Sequence, residues 1–159
     1  MGSFHYQLNG DAPIHQFKIP AGGRFVHNVL GSSGEKPPTG YSDFLKYWKE
    51  KSGCPIPARC VAEDPHRNKD GSASDVTEIG GAHVRIDGIF CPKNWAWIVP
   101  LCKHCNNDDR TWCILIPEGV VLVPVKLSQD RETASNEHDP LWRVLLQVLY
   151  EERKRRIPH

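Results

Sequence analysis

A chain of 159 residues that is 39% hydrophobic and 9% aromatic, with five tryptophans, carries enough apolar material for a buried core and is no disordered chain. Twenty Lys and Arg against nineteen Asp and Glu leave a formal charge of +1, which excludes a strongly electropositive, polybasic binder of DNA or membranes. No apolar run reaches the length of a membrane span, and residues 1–6 show neither the basic nor the apolar part of a secretory signal, so a cytoplasmic protein of one domain is expected.

Residues 1–40 read as a β and loop extension. Phe17 and Ile19 lie before, and Phe25, Val26 and Val29 after, the turn signal Pro20-Ala21-Gly22-Gly23, and residues 31–40 are rich in Gly, Ser and Pro. Residues 41–113 form the expected core. Residues 41–51 predict a helix with Ser42 as its cap, an apolar face of Phe44, Leu45, Tyr47 and Trp48, and Gly53 at its end. Residues 64–72 are polar and predict an exposed loop. Residues 79–86 and 95–99 predict a hairpin. In the last section, 114–159, residues 114–116 and 120–125 predict a second hairpin turned at Pro117-Glu118-Gly119. A C-terminal helix follows, with Asp139 as cap, Pro140 in its first turn, and Leu141, Val144, Leu145, Val148 and Leu149 at helical spacing. Charge is spread evenly over these sections, so none of them is an electrostatic docking surface.

Six cysteines in a chain without a signal point to thiols or metal before disulfides. Cys102-Lys103-His104-Cys105 has the two-residue spacing of a zinc knuckle, and Cys54 and Cys60, five residues apart, make a looser pair stiffened by Pro55 and Pro57. Two such pairs brought together would give zinc its tetrahedron of thiolates. Free thiols, or a ligand set drawing on Cys91, Cys113, His66 or His104, remain the alternatives. Buried thiols acting as small apolar groups are the simpler reading of Cys91 and Cys113.

Cys54 and Cys60, then Gly81-Ala82-His83-Val84, then Pro100-Leu101-Cys102-Lys103-His104-Cys105-Asn106 follow one another in an order that resembles the treble-clef, ββα-metal core of HNH endonucleases. The resemblance covers residues 54–109, about a third of the chain. It implies a zinc-centred treble clef over these residues; with the flanking β-hairpins and the C-terminal helix, which the resemblance does not cover, the expected fold is small and α+β. The resemblance further implies a nuclease of DNA or RNA with structural zinc, a catalytic Mg2+ or Mn2+, His83 as general base and Asn106 near the catalytic metal. Where that family carries a metal-holding Asp or His beside the histidine, this chain has Ala82, and the family's middle Asn falls near Trp97. Hydrolysis by this route needs a base within reach of water and a hard cation, for which Ala82 offers no oxygen. Asp75, Glu78, Asp87, Asp108 and Asp109 are the nearest carboxylates in sequence.

Two other functions stand beside the nuclease. One is a catalytically silent zinc module that binds protein or nucleic acid. The other is a non-nuclease enzyme that uses His83 as acid or base, since one scaffold hosts many chemistries. A structural role for His83, close packing of another element against Gly80-Gly81-Ala82, and core positions for Trp95, Trp97 and Trp112 are the competing readings of those residues.

Overall fold

The computed structural model describes residues 13–63, 76–106, 113–134, 148, 151–152 and 155–156. In chain order its elements are β1 (Phe17–Lys18), β2 (Arg24–Asn28), α1 (Phe44–Ser52), β3 (Ile79–Ile86), β4 (Trp95–Cys102), β5 (Ile114–Ile116) and β6 (Val121–Lys126). The strands form one antiparallel sheet of order β1-β6-β4-β3-β2-β5. Its centre is the β3–β4 hairpin, registered with His83 opposite Ile98 and Ile79 opposite Cys102. Every β4 position after Trp95 is buried, the pattern of a strand covered on both faces.

This architecture overturns the expected α+β treble clef. The β3–β4 hairpin is present, but it is the middle of a curled, six-stranded half-barrel that carries, among the elements of the described residues, one short α-helix, not half of a small zinc-centred clef. The burial of β4 gives the reason: a strand apolar on both faces needs neighbours along both edges and cover on both sides. Strands β3 and β6 flank β4 on its two edges, and β2 flanks β3 in turn. The second hairpin is corrected too. Strands form where the sequence placed them, yet β5 pairs with β2 while β6 pairs with β4 and β1. Four strand spacings would part β5 from β6 by about 19 Å in a flat sheet. The five steps from Ile116 to Val121 span at most about 18 Å fully extended, and they contain a turn at Glu118-Gly119. The sheet must curl to close that distance. The helix expected from Asp139 falls outside the described residues except at Val148, Glu151, Glu152, Arg155 and Arg156.

Side chains alternate across the sheet, so its two faces differ. Val26, Ala82, Val84, Trp97, Val99, Leu101, Ile114 and Ile116 belong to one core cluster, which also holds Cys60, Cys102 and Cys105. Ala96, Ile98, Val123 and Val125 belong to a second cluster with Trp48, covered by α1. Asp43, not Ser42, caps that helix, accepting from the Lys46 amide at 2.8 Å, and Gly53 closes it at φ 70°. On the sheet side, Tyr47 Oη donates to the Pro124 carbonyl (2.8 Å) and Trp48 Nε1 to that of Val121 (2.7 Å). The helix is thereby pinned to β6.

Two buried charges tie the loops to this frame. Arg85, 9% exposed, donates to the carbonyls of Lys93, Trp95 and Arg131 and to Thr133 Oγ1. Glu35 accepts from Arg131 Nε and from the amide and hydroxyl of Ser128. These hydrogen bonds hold its carboxyl below the usual carboxylate range against the opposing effect of burial.

Gly81 lies under the start of α1. A Cβ there would stand 2.6 Å from Phe44 Cβ and 2.7 Å from the Phe44 carbonyl carbon, so the helix itself would have to move. Close packing of a helix against this backbone is thus the realised alternative. Gly81→Ala is expected to destabilise the fold by about 1–3 kcal/mol, as overpacking does. Gly80→Ala, with nothing within 4 Å of its added carbon, should stay within about 0.5 kcal/mol of wild type in the same urea titration.

Candidate metal centre

None of the six cysteines is bridged in a disulfide. Cys102 ends β4, and the chain turns at once through residues 103–105, with the Asn106 amide donating to the Cys102 carbonyl at 2.9 Å. That turn carries Cys105 back beneath the sheet. Cys60 arrives from a different direction, on an extended segment held at three places. Its own amide donates to the Val76 carbonyl (2.7 Å), that of Val61 to Pro100 (3.4 Å) and that of Glu63 to Leu115 (3.0 Å).

The result is a cluster of three sulfurs, Cys60, Cys102 and Cys105, within 4.8 Å of one another and fully inside the core. Tetrahedral zinc with Zn–S bonds near 2.3 Å places its sulfurs about 3.8 Å apart, a spacing that falls within this limit. The donor set suits it as well: soft thiolates with backbone amides turned toward them. The Cys105 thiol hydrogen-bonds the Cys60 sulfur, and the amides of Cys102 and Ala62 add to it; together they draw Cys60 well below the usual thiol range. Burial pushes Cys102 the other way.

Cys54 is not brought to this cluster. Pro55 and Pro57 extend the chain between Cys54 and Cys60 rather than closing a loop. Cys54 instead packs against the α1-side core with its sulfur toward the Ser52 carbonyl (3.7 Å). Cys91 donates to the Trp95 carbonyl at 3.2 Å, with burial pushing its thiol up, and Cys113 is buried outside the group of three. His104 also lies outside that group, and His66 outside the described residues.

His83 occupies other ground. It pairs with Ile98, four positions along the strand from the Ile79–Cys102 pair, about 13 Å away at the usual strand rise. Its parity sends the side chain toward α1, where its ring meets Phe44 edge-on at 4.3 Å between centroids. It is 5% exposed, and its Nε2 has no hydrogen-bond partner among the described residues. Asn106 is exposed on the turn beyond β4. The structure therefore does not gather the two expected catalytic residues at one water-accessible point. Glu78 and Asp87 are exposed, and Asp75, Asp108 and Asp109 lie outside the described residues. Trp97 is 1% exposed and donates to the His15 carbonyl at 2.8 Å, so it is core rather than a stacking platform; Trp112 lies outside the described residues.

One residue at the centre was missed by sequence reasoning. Asn28, 2% exposed on β2, donates from Nδ2 to the Cys105 carbonyl at 2.8 Å. A single Asn in Arg24-Phe25-Val26-His27-Asn28 carries no local signal of this, since its partner lies 77 positions away.

Compared with known proteins, the chain matches no family model, no curated protein and no solved structure.

Burial lowers the His83 pKa from its ordinary 6.5 to about 4, with Glu35 opposing and Arg131 assisting that shift. Between these values the unfolded chain binds a proton that the folded chain refuses. Stability must then fall as pH drops from about 6.5 toward 4, by up to about 3 kcal/mol for this group. His83→Gln is expected to flatten that part of the stability profile measured by urea unfolding at pH 7 and 4.5. Parallel losses in wild type and variant would contradict it.

Proposed function

We propose that the protein is a zinc-binding β module in which Cys60, Cys102 and Cys105 hold a structural ion and no hydrolysis takes place at His83. The observation that carries this reading is the convergence of three buried thiols, from two separate segments, within 4.8 Å. Three thiolates in an apolar core repel one another and lose their hydration, costs that a bound cation offsets. When bound, zinc would cross-link the end of β4 to the segment that follows α1. The chain's own residues supply the rest: the turn at 103–105 orients two sulfurs, and the hydrogen bonds of Cys60, Val61 and Glu63 present the third. Catalytic silence is supported by the setting of His83, whose ring is sealed beneath Phe44. Glu35, the carboxylate whose charge His83 feels, is already engaged by Arg131 and Ser128.

A second reading keeps the nuclease, with His83 as base and Mg2+ or Mn2+ as cofactor. Its specific support is the unpartnered Nε2 of His83, an atom that burial normally leaves hydrogen-bonded. It requires α1 to lift from the sheet before water could reach the ring.

Metal analysis of the purified chain tests the first reading, and cleavage assays on plasmid and single-stranded DNA and RNA with Mg2+ or Mn2+ test the second. One zinc per chain is expected in wild type and in Cys54→Ser, with most of it lost in Cys60→Ser, Cys102→Ser and Cys105→Ser. Retention of zinc by all three of those variants would overturn the module reading. Metal-dependent cleavage by wild type, lowered by roughly two to four orders of magnitude in a folded His83→Ala variant, would establish the nuclease.

A further inference from the structure

We infer that Asn28 is the positioning residue of this metal centre, setting the geometry of the Cys102–Cys105 turn through the Cys105 carbonyl; the inference rests on the metal reading above. Two carbonyls govern how that turn presents its sulfurs. The Cys102 carbonyl is held from within the turn by the Asn106 amide at 2.9 Å. The Cys105 carbonyl is held from outside it, by Asn28 Nδ2 at 2.8 Å. Fixing the Cys105 peptide fixes the direction of its Cα–Cβ bond and so where its sulfur stands relative to Cys60 and Cys102.

Asn28 is suited to this by its own restraint. It pairs with Val84 on β3, its carbonyl accepts from the Ala134 amide at 2.8 Å, and the next amide, of Val29, donates to the His83 carbonyl at 3.0 Å. Its side chain therefore projects from a strand end that cannot shift alone. By parity with Val26 it projects to the face of the sheet where the three cysteines cluster. An amide is also the right chemistry. It donates without adding negative charge beside three sulfurs, which a carboxylate of the same shape would do while losing the donor. Residues that orient ligands through hydrogen bonds typically govern metal affinity by about ten- to a hundredfold.

The test compares wild type, Asn28→Asp and Asn28→Ala as full chains. It measures zinc affinity by competition with a chromophoric chelator, the thiolate-to-cobalt charge-transfer spectrum after Co2+ loading, and thermal stability with and without metal. The expected result is a ten- to hundredfold loss of zinc affinity and an altered cobalt spectrum in both variants, with stability falling more in the loaded than in the metal-free chain. Equal losses of stability in both states, with affinity within twofold of wild type and the cobalt spectrum unmoved, would make Asn28 a structural residue only and overturn the inference.

Should neither variant fold, wild type itself gives the answer by nitrogen-edited NMR. The Asn28 carboxamide protons are expected to shift and become protected from exchange on zinc loading. Signals indifferent to zinc would overturn the inference while leaving the metal site standing. A wild-type chain that binds neither zinc nor cobalt overturns the metal reading itself, and the role of Asn28 falls with it.

Discussion

The packing of three thiols against one another at the end of β4 is the constraint on which the rest of the structure depends. Cys102 closes a strand buried on both faces. The turn that follows leaves Lys103 and Asn106 exposed but returns Cys105 to the core, fully buried. Cys60 then completes the cluster only because its segment is threaded between the Val76, Pro100 and Leu115 carbonyls. Each of those contacts involves a different part of the chain, so the cluster reports on the correct assembly of most of the fold. Three sulfurs gathered in the core are a soft donor set, and a cation that accepts sulfur ligands is the partner that it suits.

The sheet separates two kinds of buried chemistry. On one face lie the sulfurs and the larger apolar cluster; on the other, His83 lies beneath α1, close in charge to Glu35 and Arg131. Ala82 and Val84 face the larger cluster, while His83 lies under Phe44. Four positions of strand, about 13 Å at the usual rise, part the His83–Ile98 pair from the Ile79–Cys102 pair, and this length is why a motif that runs Gly-Ala-His-Val in sequence does not deliver its histidine to the cysteines. Gly81 completes the arrangement by letting the backbone of Phe44 approach the sheet, which lays the Phe44 ring over His83.

Much of the local structure was legible in the residues. The α1 segment, the β3–β4 hairpin, both later strands and the Cys-x-x-Cys turn all lie where periodicity and spacing put them, because each depends on neighbours a few positions away. What the sequence did not disclose depends on distant partners. That β5 crosses to β2 instead of folding back on β6 is decided by the curl of the whole sheet, not by Pro117-Glu118-Gly119. The distance between Cys54 and the other cysteines follows from two prolines that hold the chain extended, which spacing alone reads equally well as a stiff knuckle. Arg85, satisfied almost entirely by carbonyls, and Asn28, bonded across 77 positions, belong to no motif at all. The helix cap shifted by one residue, from Ser42 to Asp43, since either side chain can accept from the first turn and Asp43 is the one aligned with the Lys46 amide.

X-ray absorption at the zinc edge of the loaded protein tests the central claim most directly, because it counts the atoms around the ion. Three sulfur scatterers at about 2.3 Å and a fourth ligand of nitrogen or oxygen are expected. Four sulfurs would bring in a cysteine that the structure keeps apart from the cluster, and a shell of nitrogen and oxygen alone would remove the ion from the thiols; either result would contradict the claim.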